Sequence, residues 1–270
     1  MDACLLPILV TATLISITSG LDSENIVGHN LAALKQFPYQ VLITLESGIC
    51  GGALIEPDIV LTAAHCIQND NNRPKAVYAG MIDVNDLHNA QWINVKEIYT
   101  HAKYNGDENK LPMNDIALMK LEKEFTLSSY IDLVNLPERW ENFNDKTAVL
   151  TGFGWNSVEV TIDSKEEPVR DGKTDLRLRY APVKVTVEEG YPRTILSGQM
   201  ESASGACDGD SGGPLVRDNK VIGILSYCPN DCDETHNPSY YMKVSEYLNF
   251  IQGVIDGEPV KKETKIVTFH

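Results

Sequence analysis

Short runs rich in Val, Ile, Leu and Tyr recur along the chain, separated by polar segments that carry turn-forming residues. These runs occupy residues 39–45, 75–78, 92–98, 116–121, 148–150, 183–187 and 221–226. Many short strands at such intervals are typical of an antiparallel sandwich or barrel and not of alternating strand–helix units. We therefore predict an all-β fold.

The C-terminal part of the chain carries the one pattern with a helical period. Apolar side chains at i, i+3, i+4 and i+7 predict a helix over about residues 244–255, with Ser245 as its cap. Residues 156–175 are polar and weakly periodic, which predicts a long exposed loop. Residues 256–270 are interpreted as a C-terminal tail, for which disorder is the usual state.

The N-terminus has the pattern of a secretory signal peptide. Residues 5–17 are mostly apolar, and small residues at 18–20 suit cleavage, so we assign residues 1–20 to the signal. The apolar run is too short to predict a membrane span. An acidic Asp2 with no nearby Lys or Arg is atypical of such signals, and a buried N-terminal segment is the alternative. The prediction is a secreted, extracellular protein.

Charge and cysteine content restrict the class of protein further. The formal net charge of −15 would repel a phosphate backbone, which excludes nucleic acid as an expected partner, and no membrane association is expected. Six cysteines are present, and Cys4 would leave with the signal peptide. Secretion favours disulfides, so five remaining cysteines predict one unpaired thiol.

Three short motifs contain residues suited to nucleophilic catalysis: TAAHC at 62–66, NDIAL at 114–118 and GDSGGP at 209–214. A serine hydroxyl is a weak nucleophile at neutral pH and needs a base, which in turn needs a partner to orient it. Taken singly, a serine in a glycine-rich turn or an aspartate before an apolar run is usually structural. Together, His65, Asp115 and Ser211 form a candidate catalytic set.

With these motifs, the chain resembles the chymotrypsin-like (trypsin-family, S1) serine proteases over residues 26–255. The resemblance implies two antiparallel six-stranded β-barrels, at about 26–138 and 139–243, with the active site between them and a C-terminal helix at about 244–255. It also implies a serine endopeptidase that forms an acyl-enzyme on protein or peptide substrates. Such an enzyme needs no cofactor, is expected to be a monomer, and is subject to protein inhibitors.

The family resemblance gives each motif residue a role. His65 would accept the hydroxyl proton of Ser211 and donate it to the leaving amine, while Asp115 would hold the imidazole in the required tautomer. The backbone N–H groups of Gly209 and Ser211 would form the oxyanion hole.

The segment Asn25-Ile26-Val27-Gly28 resembles the activation site of the family. Cleavage would remove a short propeptide at 21–25 from the zymogen and free the Ile26 amino group, which would form a buried ion pair with Asp210. Asn25 stands where Arg or Lys is usual. An Asn-directed activating protease and trimming of the short propeptide are the two routes that we consider.

Cysteine positions also match the family. The resemblance implies the disulfides Cys50–Cys66 and Cys207–Cys232, although Cys207–Cys228 remains an alternative. Cys228, Cys232 and His236 have a C-x3-C-x3-H spacing that can bind zinc, but the ligand set is incomplete and no metal is expected.

In the family, the residue six positions before the nucleophile lies at the base of the primary substrate pocket, and here it is Gly205. Because an acidic residue is absent there, trypsin-like specificity is disfavoured. Cys228 would narrow the pocket, which predicts an elastase-like or chymotrypsin-like preference for small or medium apolar side chains. The implied substrate-binding residues are Gly205, Asp208, Ser226, Tyr227, Cys228 and Ser239.

The alternative to an active protease is a catalytically weak or silent homologue that acts as a binding protein or cofactor. Asn25 and Cys228 favour this alternative, because either departure from the family pattern can block a competent substrate site. A toxin that acts through its surface loops forms a third class, which no specific residue supports.

Overall fold

The structure is a computed structural model. It describes residues 30–67, 73–104, 106, 113–162, 168–187, 192–200, 205–229, 232, 234 and 237–269, and within 157–171 it describes the backbone alone. The predicted signal peptide and propeptide lie outside these residues, as do Asn25 and Ile26. Their assignments therefore stay predictions.

Seventeen β-strands form the framework of the described chain. The first eight are β1 Asn30–Leu31, β2 Gln40–Leu45, β3 Ile49–Glu56, β4 Ile59–Thr62, β5 Pro74–Ala79, β6 Gln91–Ile93, β7 Val95–His101 and β8 Ala117–Leu121. The remainder are β9 Lys146–Gly152, β10 Ser157–Ile162, β11 Pro168–Lys173, β12 Arg179–Thr186, β13 Ile195–Gln199, β14 Pro214–Arg217, β15 Lys220–Tyr227, β16 Ser239–Lys243 and β17 Thr264–Thr268. Each apolar run of the sequence overlaps at least one strand.

The C-terminal half is a closed six-stranded barrel. Strands β12, β13, β16, β15 and β14 follow one another, and β9 closes the ring because it pairs with both β14 and β12. Inward side chains such as Leu150, Val183 and Tyr241 fill its core. Small residues allow this packing: a side chain on Gly198 would lie 2.6 Å from the Tyr241 ring.

The N-terminal half is a curled antiparallel sheet of eight strands in the order β17-β7-β8-β4-β3-β2-β5-β6. Its central strands β2, β3, β4 and β8 are buried on both faces, whereas the edge strand β17 is largely exposed. In β2, Val41 and Ile43 pack into the main apolar core, whereas Leu42 packs into a separate cluster with Phe153. The all-β prediction is confirmed, but this half is a curled sheet in place of the predicted closed six-stranded barrel.

The two ends of the described chain each join the opposite half. Strand β1 pairs with β12 of the C-terminal barrel, with Asn30 opposite Tyr180. Strand β17 pairs with β7 of the N-terminal sheet, with Ile266 opposite Tyr99. The prediction of a disordered tail after residue 255 was therefore wrong, because the β-branched run at 264–268 extends a sheet edge.

Two other local predictions need correction. Residues 156–175 were expected to form an irregular loop, but β10 and β11 pair there as an antiparallel hairpin. The C-terminal helix, α1, spans Leu248–Ile255 after a 3-10 turn at Val244–Glu246. Tyr247 is its N-cap and makes no side-chain cap bond, so Ser245 does not cap the helix. Nowhere in the described ranges is a helix long and apolar enough to cross a bilayer.

Candidate active site

Strand pairing in the N-terminal sheet brings His65 and Asp115 together. His65 follows the end of β4 and Asp115 precedes β8, and these neighbouring strands place Thr62 opposite Ala117. The backbone N–H of His65 donates to Oδ1 of Asp115 at 2.8 Å, and Nδ1 lies 2.7 Å from Oδ2. Two contacts to one carboxylate fix the imidazole relative to Asp115.

A third hydrogen bond reaches Asp115 from the other half of the molecule. Ser226, on β15, donates its hydroxyl to Oδ2 at 2.5 Å, and Asp115 is completely buried. Because the carboxylate accepts at Nδ1, the neutral imidazole carries its proton there and leaves Nε2 as an acceptor. This is the tautomer that a general base requires. Sequence reasoning placed Ser226 among the substrate-binding residues and missed its contact with Asp115.

The environment of His65 favours its protonated form. Burial lowers the pKa of the imidazole, but the charge of Asp115 and its hydrogen bond outweigh that effect, so the pKa lies above its usual 6.5. The side chain is 32% exposed, which leaves Nε2 accessible from the crevice. His65 can therefore accept a proton and hold it close to neutral pH.

Ser211 lies in the turn before β14, against the disulfide that fixes the histidine loop. Its carbonyl oxygen accepts a hydrogen bond from Gly51 N–H at 2.8 Å and lies 3.6 Å from Sγ of Cys66. The same sulfur lies 3.8 Å from Nε2 of His65. Ser211 is partly exposed, and its hydroxyl makes no hydrogen bond to any residue that the structure describes. Nucleophile–base contacts are often loose until substrate binds.

The loop before Ser211 contains a glycine with a positive φ and two backbone N–H groups without an acceptor. Gly209 has φ +96°, a region that residues with side chains rarely adopt. Asp210 N–H donates to the Cys207 carbonyl at 3.0 Å. Within the described part of the chain, the N–H groups of Gly209 and Ser211 donate to no acceptor, which leaves both available to a developing oxyanion.

Asp210 is buried beside Ser211 and is held by backbone donors. Gly154 N–H donates to Oδ1 at 2.8 Å and Cys207 N–H donates to Oδ2 at 3.1 Å. Burial raises the pKa of Asp210 to about 6, although both hydrogen bonds oppose the shift. No Lys or Arg of the described ranges forms an ion pair with it, and Ile26, its predicted partner, lies outside them. The activation pair remains a prediction.

Gly154 packs directly against the Asp210 carboxyl group, and we expect that a methyl group added at position 154 cannot be accommodated. A Cβ on Gly154 would lie 2.5 Å from the Asp210 carboxyl carbon, so Gly154→Ala should lower the free energy of unfolding by about 1–3 kcal/mol through overpacking. Chemical denaturation measures the effect. Gly48→Ala is the matched control because the added methyl meets open space, and it should stay within about 0.5 kcal/mol of wild type. Equal stability of the two variants would contradict this packing.

Both predicted disulfides are present in the structure. Cys50 bonds to Cys66 and Cys207 bonds to Cys232, so the alternative Cys207–Cys228 bridge is excluded. Cys228 belongs to neither disulfide and packs at the margin of the C-terminal barrel core. His236 lies outside the described residues. The Cys232 sulfur is part of a disulfide and is not a thiolate ligand. The zinc site considered from the Cys228, Cys232 and His236 spacing therefore lacks one of its three ligands.

The predicted pocket residues occupy different environments. Gly205 and Ser239 are buried, Asp208 is partly exposed, and Tyr227 is 43% exposed with its ring 6.0 Å from that of Tyr240. One residue that the sequence did not single out lies among them. Glu234 is fully buried and its carboxyl contacts Ala206 and Ser239. The predicted substrate-binding roles stay proposals.

Comparison with known proteins places the chain in one family. A family model described as trypsin matches residues 26–251. The chain is 33% identical to trypsin of Sus scrofa over 242 residues, which cover 87% of this chain and 97% of the relative. It is 34% identical to trypsin-4 of Rattus norvegicus over 242 residues, covering 86% and 90%.

Solved structures agree on the fold. Human heparin binding protein superimposes with a TM-score of 0.71 at 24% identity, covering 85% of this chain and 96% of the other. Neuropsin, a serine protease from mouse brain, gives a TM-score of 0.71 at 23% identity, covering 85% and 100%. The chain belongs to the trypsin family of chymotrypsin-like serine proteases.

Proposed function

We propose that this chain is the precursor of a secreted serine endopeptidase that uses Ser211, His65 and Asp115. The observation that carries the proposal is the double contact of Asp115 with the backbone and Nδ1 of His65, which leaves Nε2 facing the crevice. The carbonyl oxygen of Ser211 and Nε2 of His65 lie 3.6 Å and 3.8 Å from the same Cys66 sulfur, so the Ser211 backbone is near the base.

The geometry supports an acyl-enzyme mechanism. Nε2 of His65 takes the proton as Oγ of Ser211 attacks the scissile carbonyl carbon, and the N–H groups of Gly209 and Ser211 stabilise the oxyanion. The imidazolium then donates that proton to the leaving amine as the C–N bond breaks. Water repeats the sequence on the acyl ester, releases the acid and returns the proton to Ser211.

Activation is proposed to follow cleavage after Asn25. The new Ile26 ammonium would supply the cation that the buried Asp210 lacks among described residues, and thereby order the adjoining Gly209 turn. N-terminal sequencing of the mature protein tests this step. A mature chain that begins at another residue would remove the basis for the Ile26–Asp210 pair.

Phosphorylation of Ser211 by an organophosphate distinguishes an enzyme from a silent homologue. Protein processed to begin at Ile26 is titrated with diisopropyl fluorophosphate, and the modified residue is identified by mass spectrometry. Stoichiometric modification of Ser211 is expected. Folded, processed protein that remains unmodified would favour a homologue that binds partners without turnover, as the atypical Asn25 and Cys228 suggest.

Secretion and partners belong to the same proposal. The apolar leader at 1–20 and the two disulfides favour an oxidising, extracellular location. The expected partners are protein or peptide substrates, protein inhibitors and an activating protease, and the expected state is a monomer.

The preferred side chain before the scissile bond is a separate prediction. Gly205 and Cys228, considered alone, favour cleavage after Ala, Val, Leu or Phe, with little cleavage after Lys or Arg. A panel of chromogenic peptides that differ only at this position, which we call P1, tests the prediction. Preferred hydrolysis after Arg would show that these two residues do not determine the pocket.

A further inference from the structure

The carboxyl group of Glu234 lies beside residues that are predicted to form the base of the primary pocket. Its Oε1 accepts hydrogen bonds from the backbone N–H of Ala206, at 2.9 Å, and from the hydroxyl of Ser239. Ala206 adjoins Gly205, and Ser239 is one of the predicted pocket residues. The segment that follows Cys232 therefore places an acid where the sequence motif around Gly205 has none.

Glu234 and a side chain at position 205 exclude each other. A Cβ on Gly205 would lie 2.9 Å from Cγ of Glu234 and 2.6 Å from the Cys232 carbonyl oxygen. The second contact is with backbone, which cannot move aside as a flexible side chain can. The positions of Cys232 and Glu234 thus require a glycine at 205, and its presence does not show that the pocket lacks an acid.

Two buried polar atoms at this place have no hydrogen-bond partner among the described residues. They are Oε2 of Glu234 and the hydroxyl of Tyr241. The charge of Glu234 contributes to raising the pKa of Tyr241, after burial, so the two groups are near each other. Buried polar atoms are nearly always paired in native proteins. An ammonium or guanidinium group brings several N–H donors and can satisfy both atoms.

The charge around the site is also of one sign. The described residues at 205–211, 226–229, 232, 234 and 237–239 include Asp208 and Glu234 but no Lys or Arg. Asp210 also lies there, but its charge is the one that the Ile26 ammonium is proposed to neutralise. Arg179 acts on Asp210 but is held by Asp175, with its Nη2 at 2.8 Å. A cationic substrate side chain would therefore meet a negative potential without a competing cation from these segments.

We propose that Glu234 is the specificity-determining residue of this protease and that its carboxylate binds a Lys or Arg side chain of the substrate at P1. The proposal rests on the proposed function, since it concerns the substrate of the same site. It replaces the apolar preference inferred from Gly205 and Cys228. Glu234 supplies, from the segment after Cys232, the negative charge that position 205 cannot carry.

A neutral variant tests the role of the charge. Glu234→Gln keeps an acceptor for Ala206 and Ser239 but removes the carboxylate. We expect kcat/KM for P1 Arg and Lys peptides to fall by roughly 30-fold to 1,000-fold, as for loss of one partner of a buried charge pair, with P1 Leu hydrolysis changed less than about threefold. Glu138→Gln, which removes one exposed carboxylate far from the motifs, is the matched control and should match wild type.

Binding of 4-aminobenzamidine measures the pocket independently of turnover. Fluorescence titration of processed wild type should show binding that Glu234→Gln weakens by a similar factor, whereas the neutral isostere 4-aminobenzamide should bind weakly to both. If Ser211 resists modification by diisopropyl fluorophosphate but the amidine still discriminates the two proteins, the proposed function fails and the pocket assignment stands. If Ser211 is modified, P1 Leu is preferred and the amidine binds both proteins equally, Glu234 is only structural and the proposal fails.

The pH dependence of the preference for P1 Arg over P1 Leu tests the role of Glu234 in the wild-type protein, without a substitution. Burial raises the pKa of Glu234 to about 7, against the lowering effect of bonds from Ser239, Ala206 and Met200, and the charge of Asp210 adds to the rise. The carboxylate forms as pH increases through this value. The ratio of kcat/KM for P1 Arg over P1 Leu should therefore rise between about pH 6 and pH 8, while effects of His65 cancel in the ratio. A flat ratio in wild type would overturn the proposal.

Discussion

Replacing Ser211 by Ala is expected to lower kcat by about 10⁶-fold. The methyl group cannot form the ester bond, so His65 and Asp115 lose the proton transfer that they support. Residual hydrolysis over the uncatalysed rate should persist, because the Gly209 N–H and the substrate-binding groups remain. Steady-state kinetics on processed protein, with diisopropyl fluorophosphate titration of the wild type, measure the change.

A surface serine provides the control for this experiment. Ser129→Ala makes the same chemical change at an exposed position and should leave kcat unaltered. Thermal unfolding of Ser211→Ala should resemble wild type, since Oγ of Ser211 bonds to no described residue. Near-normal turnover by Ser211→Ala would place the nucleophile elsewhere.

Replacing Asp115 by Asn should lower kcat by about 10⁴-fold with little change in the position of His65. The amide keeps one oxygen but presents an NH₂ group in place of the second. An NH₂ opposite Nδ1 favours the imidazole tautomer that carries its proton on Nε2, which then cannot accept from Ser211. Asp218→Asn, at a side chain that is 78% exposed, is the matched control and should retain full activity. A loss below tenfold in Asp115→Asn would contradict the orienting role.

His65 and Asp115 also determine the pH below which kcat/KM falls. His65 must be neutral to accept a proton, and its pKa lies above 6.5 because Asp115 stabilises the imidazolium. Since protonation removes the base, kcat/KM should fall as pH decreases through a value above 6.5. In Asp115→Asn the midpoint of this fall should move to lower pH. If the midpoint were the same in Asp115→Asn and wild type, a group other than His65 would control the loss of kcat/KM at low pH.

Local motifs predicted that His65 and Asp115 come together, and the structure shows that contact, whereas the catalytic roles of these residues and of Ser211 stay predictions. His65, Asp115 and Ser211 each lie at a strand end or turn whose neighbours are read directly from the chain. Their meeting in space depends on the pairing of β4 with β8, which only the structure shows, and on the Cys50–Cys66 disulfide, which the family resemblance implied. Gly209 was predictable for the same reason, because a turn with positive φ favours glycine.

Contacts that depend on long-range packing were not predictable in this way. Glu234 lies in a polar segment without a motif, and only the folded path after Cys232 brings it to Gly205. The sequence offered only an indirect signal. Gly205 stands where an acidic residue is common, and acidic residues, including Glu234, occur in the later segment that is predicted to line the pocket. Ser226 was assigned to the substrate groove, whereas its hydroxyl also reaches Asp115 across the crevice.

The missed strands had weak but readable signals. Val158, Val160 and Ile162 alternate with polar residues, which is the period of a strand, yet the high charge of the surrounding segment favoured a loop prediction. At 264–268 the β-branched residues suited a strand, but proximity to the terminus favoured disorder. Both errors arose because composition was weighted above the period of the side chains.

The reciprocal placement of β1 and β17 has a mechanical consequence. Strand β1, from the N-terminal end, pairs with the C-terminal barrel, and strand β17, from the C-terminal end, pairs with the N-terminal sheet. Separating the two halves would therefore break both sets of backbone hydrogen bonds. A nick near one terminus would leave the opposite fastening intact. These pairings restrain the two halves from moving apart as rigid bodies. A bulky ligand would therefore be accommodated by movement of the loops that border the crevice.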